Sequence, residues 1–354
     1  MFFCIILEAS KDIELSIKPS YLGWYIFIFI SLIIFVLLNL TLGSVIVPFK
    51  EILNFFTGEN TSKFVQDIMI PYRIPKVITA ILSGVALSVC GLQMQTLFRN
   101  PLADPFILGI SSGAGLGVAI FVMGFSAFGI TLTSSLLASV GTAAAAWLGA
   151  FAVTILLLMV SSKLRDNTSL LIFGIMLGSV VSAIISLMQY LSSSSALKVF
   201  VLWTMGSFSG LNPAQIWVLF SLVLAGLALS VYNIKDLNAL LMGEAYARSL
   251  GVNLENTRKR ILIATTLLAG SVTAFCGPIG FIGIAVPHIA RMLFRNADHK
   301  VLLPSAALLG AVIMVFADTI AQLPGQPGVI PINTVSALIG VPIILLIVLK
   351  SRFV

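Results

Sequence analysis

Arg99-Asn100-Pro101-Leu102-Ala103-Asp104-Pro105 separates two long apolar segments, and Leu108-Gly109-Ile110-Ser111-Ser112-Gly113-Ala114 follows at once. Two prolines, two charges and an asparagine make this a rigid polar turn, because proline fixes its own φ and restricts the residue before it. The chain leaves one apolar segment through that turn and enters the next through a run of small residues. Such a pattern suits a bundle of apolar helices held at a fixed angle and moving as a unit.

The segments on either side set the class. The 354 residues are 59% hydrophobic and only 9% charged, against about 25% charged in an ordinary soluble domain. No soluble core of this size hides so much apolar surface, so the chain reads as an all-α, polytopic membrane protein in one transmembrane domain over 1–354. A net charge of +7 fits basic cytoplasmic loops better than nucleic-acid binding. Cys4, Cys90 and Cys276 are few, odd in number and far apart. They offer neither a disulfide framework nor a metal spacing, and the two in apolar segments read as packing residues. Met1–Leu7 is short, lacks a basic lead and runs into Glu8, so it is not read as a signal peptide.

Hydropathy predicts about ten spans, near residues 22–42, 77–97, 106–124, 135–161, 169–191, 214–232, 261–276, 280–295, 302–323 and 334–350. The seventh and eighth run together through Cys276-Gly277-Pro278-Ile279-Gly280, which reads as a break in one long apolar stretch, each part short or tilted. With the N-terminus inside, fifteen of the twenty Lys and Arg fall on cytoplasmic segments. This bias favours both termini in the cytoplasm, with residues 1–20 as a cytoplasmic N-terminal segment.

Gly109, Gly113 and Gly117 recur at helical spacing, as do Ala143–Ala146 with Gly149. Such faces serve tight helix packing or a sliding pathway wall. Asp318 is the clear intramembrane carboxylate, with a direct transport role set against a structural hydrogen bond to a neighbouring helix. His288 and His299 stand without clustered Cys, Asp or Glu, so they are expected to cap or fix turns and not to hold metal. No phosphate loop, zinc-protease or nucleophile-elbow motif is present. A nucleotide that powers this chain therefore binds elsewhere, and an enzyme is not expected.

Residues 233–258 form a polar interval, read as a cytoplasmic coupling segment. Glu244 and Arg248 have the favourable order for a helical ion pair, and Gly251 is a natural stop. The short helix would present Leu240, Leu241, Tyr246, Ala247 and Leu250. That is more apolar surface than a free solvated loop should show, and it reads as a docking surface for a soluble partner.

Several motifs in order resemble the permease subunits of the iron–siderophore, haem and cobalamin importers, the FecCD-type family of ABC transporters. They are Arg73-Ile74-Pro75-Lys76, Gly91-Leu92-Gln93-Met94-Gln95 leading to Arg99-Asn100-Pro101, Leu108-Gly109, Gly243-Glu244 with Leu250-Gly251, Gly280-Phe281-Ile282-Gly283 with Pro287-His288 and Arg291, Asp298-His299, and Ala317-Asp318. The resemblance runs from about Ile70 to Lys350. It implies a homodimer in the bacterial cytoplasmic membrane, two cytoplasmic ATPase subunits carrying ATP and Mg, and an extracytoplasmic substrate-binding protein. No cofactor, catalytic residue or nucleic acid belongs to this chain on that reading. The resemblance further implies coupling to the ATPase through Gly243, Glu244, Ala247, Arg248, Leu250 and Gly251. It implies docking of the binding protein on Arg73 and Lys76, and a cytoplasmic gate at Asn167, Thr168 and Ser169, where a simple helix cap is the competing reading. Arg99, Asn100, Pro101, Pro287, His288, Arg291 and Asp318 would be structural motif residues. Gln322 stands where the family usually has an arginine, and Val329 where it usually has a glutamate. Ferric siderophore is the expected cargo, with cobalamin and haem as alternatives. An ion-coupled secondary transporter is the competing class, and it would need more intramembrane carboxylates than Asp318.

Overall fold

In a bilayer every backbone polar group must be satisfied internally, so apolar runs of this length become helices. The computed structural model describes residues 21–43, 45–58, 62–127, 135–164, 167–322 and 329–351. The expected N-terminal segment 1–20 and Pro327-Gly328 lie outside the described residues.

Helix α1 is Tyr21–Thr41, followed by the short α2 (Phe49–Thr57) and α3 (Lys63–Ile68). One π-helical turn, Met69–Arg73, joins α3 to α4 (Ile74–Leu97). Pro71 lies in that turn and brings no N–H to the α-helical ladder, which accounts for the local widening. The polar hinge then leads to α5 (Ile110–Ala119), α6 (Ser135–Ser161) and α7 (Asn167–Leu191). The second half holds α8 (Ser194–Thr204), α9 (Pro213–Tyr232), α10 (Ile234–Leu241), α11 (Glu244–Ser249), α12 (Leu254–Thr265), α13 (Ser271–Cys276), α14 (Ile282–Phe294), α15 (His299–Ala321) and α16 (Ile332–Ser351).

Among the described residues, seven helical stretches are long and apolar enough to cross a membrane, and four shorter apolar helices accompany them. Each of the ten expected segments falls on a helix, but two of them start earlier than hydropathy suggests. The second is the end of a 35-residue rod, Lys63–Leu97. The seventh begins at Leu254, and α12, a π turn and α13 make one 23-residue stretch to Cys276. It is therefore not short, and residues 254–258, expected within the coupling segment, form its first turn. The charges of Arg258, Lys259 and Arg260 hid this turn of helix from a hydropathy reading. The expected break is real: Gly277 has φ +77° and Phe281 +71°, and α14 starts immediately after. Helix α8, capped by the Ser193 side chain on Ala196 N–H, has no counterpart among the expected spans.

The bundle is organised around α4, which is buried along most of its length. A Cβ on Gly84 would stand 2.2 Å from the Gly310 carbonyl oxygen of α15, and one on Gly91 1.9 Å from that of Gly283 in α14. Small residues let these backbones touch, which is how helices associate where lipid supplies no hydrophobic drive. The pair α5 and α6 repeats the device: a Cβ on Gly117 would meet the Ala145 carbonyl oxygen at 2.0 Å, and one on Gly149 that of Gly113 at 2.1 Å. The small-residue faces thus serve tight packing in this conformation. Gly109 leaves the row, because its φ of +80° ends the preceding 3-10 turn and it packs on Gly174 and Gly178 of α7.

Gly84→Val is expected to destabilise the bundle by about 3 kcal/mol or more, since backbone cannot move aside as a side chain can. Gly124→Ala, with nothing within 4 Å of its Cβ position, is the matched control. Thermal unfolding of the detergent-solubilised chain should separate the two, and equal melting temperatures would refute the close α4–α15 contact.

Candidate functional site

The chemistry-bearing residues gather at the two ends of α4 and on α10–α11. At one end Asp318, 1% exposed on α15, receives a Lys76 ion pair at 3.1 Å and hydrogen bonds from Asn39 of α1 at 2.9 Å and Gln322 at 2.7 Å. The carboxylate therefore joins three helices, and the structural reading of Asp318 is the one its partners support. Gln322 donates to it without adding a charge. Arg73 donates to the carbonyl oxygens of Leu40 and Val45, and Leu40 belongs to the last turn of α1, whose carbonyls lack helical partners.

Arg73 and Lys76, the residues expected to meet a binding protein, are each only 8% exposed and turn toward partners within the chain. The reason is the crossing of α1 and α15 over this end of α4, which brings unpaired carbonyls and a carboxylate within their reach.

At the other end the hinge and the Pro287 motif meet. His288 Nε2 lies 3.0 Å from the Pro101 carbonyl oxygen. Pro287 has no N–H for the Gly283 carbonyl one turn back. The Gln95 amide of α4 takes that place, donating to the Gly283 and Ile284 carbonyls at 3.2 Å each, while its oxygen accepts from Arg291 at 2.6 Å. Asn100 closes the hinge by accepting from Leu102 N–H at 2.9 Å. Arg99, with φ +47°, extends to Gly243, its Nη1 3.5 Å from where a Cβ would stand.

His299 is a buried junction. Its Nδ1 donates to Asn238 Oδ1 at 2.7 Å, and its Nε2 sits 2.9 Å from Thr96 Oγ1. Asn238 also donates to Asp298 at 2.6 Å. The Lys300 N–H and then the Asn238 amide hold the Asp298 carboxyl below the usual carboxylate range. Helix α10 is thereby tied to α4 and α15 through side chains that no spacing in the sequence connects.

On the expected coupling segment Gly243, with φ +109°, turns α10 into α11. Leu241, Met242, Tyr246 and Leu250 are exposed, Leu250 by 59%. Leu240 and Ala247, expected on that face, are buried instead because they hold the two helices onto the bundle. Glu244 and Arg248 make no ion pair among the described residues, as suits two exposed side chains with little to gain from pairing in water. Gly251 ends the helix as expected, at φ +82° with its N–H on the Arg248 carbonyl.

Of the residues expected to form a gate, Asn167 is buried and its amide donates to the Leu97 carbonyl at 2.7 Å. It caps the end of α4 and not its own helix. Thr168 is exposed and Ser169 half-buried, so the three do not converge on one point in this chain. Among the described residues no three His, Cys, Asp or Glu side chains group as a metal site requires.

Asp104, inside the hinge, is a residue the sequence reading passed over. It is 4% exposed, and its Oδ1 accepts from Phe106 N–H at 2.9 Å. Its Oδ2 has no partner and lies in the space that Gly283 leaves open. Burial pushes its pKa up to about 7 against the pull of the Phe106 N–H. The Asp-Pro start of a helical turn was the one signal that pointed to it.

Residues 31–350 match the FecCD transport family model. The hemin transport system permease of Yersinia pestis is 36% identical over 328 residues, 92% of this chain and 95% of the relative. The vitamin B12 import system permease of Klebsiella pneumoniae is 34% identical over 329 residues, 93% of this chain and 94% of the relative. Among solved structures, a metal-chelate type ABC transporter in an inward-facing conformation superposes with a TM-score of 0.78 at 28% identity, covering 94% of this chain and all of that one.

Removing one partner of a buried pair leaves the other uncompensated, at about 3–5 kcal/mol. Asp318→Asn alone should therefore lower the melting temperature sharply, and Lys76→Met combined with it should recover most of the loss. Absence of recovery would show that the pair is not the source. For Asp104 the folded carboxyl titrates near 7 and the unfolded one near 4. Its contribution to stability is full below about pH 4 and is lost as pH rises through about 7. Asp104→Asn keeps the Phe106 cap and should flatten this decline. Melting curves of both chains from pH 4 to 8 that run parallel would overturn the assignment.

Proposed function

The chain belongs to the FecCD transport family and is the permease of a metal-chelate-type ABC importer, and we propose that its α10–α11 segment is the element on which a separate ATPase acts. It is a multi-pass protein of the bacterial inner membrane and not itself an enzyme. The observation that carries the proposal is the exposed apolar set Leu241, Met242, Tyr246 and Leu250 on two short helices anchored by buried Leu237, Leu240 and Ala247. Such a patch is held rigidly and left uncovered, the condition for a docking surface. The tie from Asn238 to His299 and Thr96 makes a push on this segment a push on α4 and α15.

In this reading two copies form the pathway between them, with both termini in the cytoplasm, and an extracytoplasmic binding protein delivers the cargo. Nucleotide binding on the ATPase shifts the pair between inward- and outward-facing states, an equilibrium between two packings. Asn167 to Ser169 serve as the inner gate once the partner copy is present. The cargo is a bulky metal chelate carried whole. The family resemblance favours ferric siderophore, whereas the relatives above are named for hemin and vitamin B12, so all three belong in one assay.

Leu250→Asp and Glu244→Lys are each expected to leave the bundle folded while cutting ATP-dependent uptake at least about tenfold, the loss of about 1.4 kcal/mol of docking. Uptake of labelled ferric siderophore, hemin and cobalamin by cells lacking the chain, restored by wild type alone, reads both the cargo and the coupling. Normal uptake with both variants would refute the coupling assignment.

A further inference from the structure

A cavity of about 860 Å³ opens where α9, α10, α12 and α15 come together at the edge of the bundle. Lys235, Arg260 and Lys300 line it with Tyr232, Leu250 and a single carboxylate, Asp236. That carboxylate is already neutralised, because Arg260 pairs with it and Thr257 donates to it at 2.7 Å. Arg260 is fixed in place by stacking over the Tyr232 ring at 5.0 Å, and its buried Nε has no hydrogen-bond partner. Lys235 and Lys300 are exposed and make no ion pair among the described residues. Asp298, two residues from Lys300, is engaged by the Asn238 amide and the Lys300 N–H. The pocket wall thus holds three cations against one carboxylate, and with Asp298 beside Lys300 counted in full it keeps a net positive charge, which favours anions.

Its position says which anion. The walls are the ends of three span-length helices, Pro213–Tyr232, Leu254–Cys276 and His299–Ala321, so the pocket lies at headgroup level. From its mouth an apolar strip runs along the outside of α9. Val231, Leu224 and Trp217 are seven residues apart, on one helical face, and 54%, 54% and 68% exposed. A water-soluble phosphate has no use for that strip, whereas an acyl chain does. We propose that this pocket binds the phosphate headgroup of an anionic phospholipid, with the acyl chain lying along α9. Basic pockets between helix ends are the physical form such recognition takes, and this one shares Lys235, Asp236, Ala239, Leu250 and Gly251 with the segment proposed above as the ATPase contact, so a lipid would reach it from the α9 side.

The test is native mass spectrometry of the full-length chain in detergent, titrated with phosphatidylglycerol, phosphatidylcholine or glycerol phosphate. Phosphatidylglycerol should be retained in preference to phosphatidylcholine, and glycerol phosphate should not displace it. Lys235→Gln and Lys300→Gln should each weaken retention about fivefold. Trp217→Ala should weaken it too, although that residue carries no charge. Both lysines are exposed, so these variants keep the fold, and melting curves check that. Equal retention of the two lipids, or unchanged retention in the lysine variants, overturns the proposal. Displacement by glycerol phosphate would make this a soluble-phosphate site, and loss of the lipid from the chain assembled with its ATPase would make it a protein contact. Either result also overturns it.

Discussion

Helix α4 is approached on two sides by other backbones, and the rest of the molecule is arranged around that contact. Gly84 and Gly310 allow α15 to touch it, and Gly91 and Gly283 allow α14 to do so. In lipid the chain gains nothing from burying one leucine against another in place of an acyl tail, so closeness and hydrogen bonding decide which helices associate. Backbone contact also brings polar side chains of α4 within reach of carbonyls on its neighbours. Gln95 can complete the carbonyls around Pro287 only because α14 is so near. A proline inside a membrane helix is tolerable on these terms, since its freed acceptor is met from a neighbouring helix.

The same arrangement explains where mobility is excluded. One end of the α4–α15 pair is locked to α1 by Asp318, Lys76 and Asn39. The other is locked to α10 by His299 and Asn238. Neither junction relies on a flexible loop, so α10 belongs to the same body as α4 and α15. Coupling between distant sites needs an element with two arrangements, and a body tied at both ends can serve as that element by moving whole.

Much of this was legible in the sequence. The helical class followed from composition, the hinge from its prolines, and the small-residue faces from their spacing. What stayed hidden were directions. Nothing in Arg73-Ile74-Pro75-Lys76 states that both cations turn inward, because that depends on α1 crossing nearby. Hydropathy gave the exposed set on α10–α11 only in part, since Leu240 and Leu241 are adjacent identical residues of which one is buried and the other exposed. Asn167 reads as the start of its own helix, and its role at the end of α4 needs the tertiary contact. In the sequence Asp104 is one polar residue of the hinge among several, and only burial reveals a carboxyl oxygen without a partner.

Gln322 shows how a departure from a family pattern follows from local charge. The resemblance leads one to expect an arginine there. Its neighbourhood already holds Arg73 and Lys76 against one carboxylate, Asp318. A third cation would add repulsion in a place where little water screens it. Glutamine supplies the hydrogen bond to Asp318 at no cost in charge. The consequence extends to the surface: with Arg73 and Lys76 turned inward and position 322 neutral, this end of the bundle offers a partner fewer free cations than the family pattern implies.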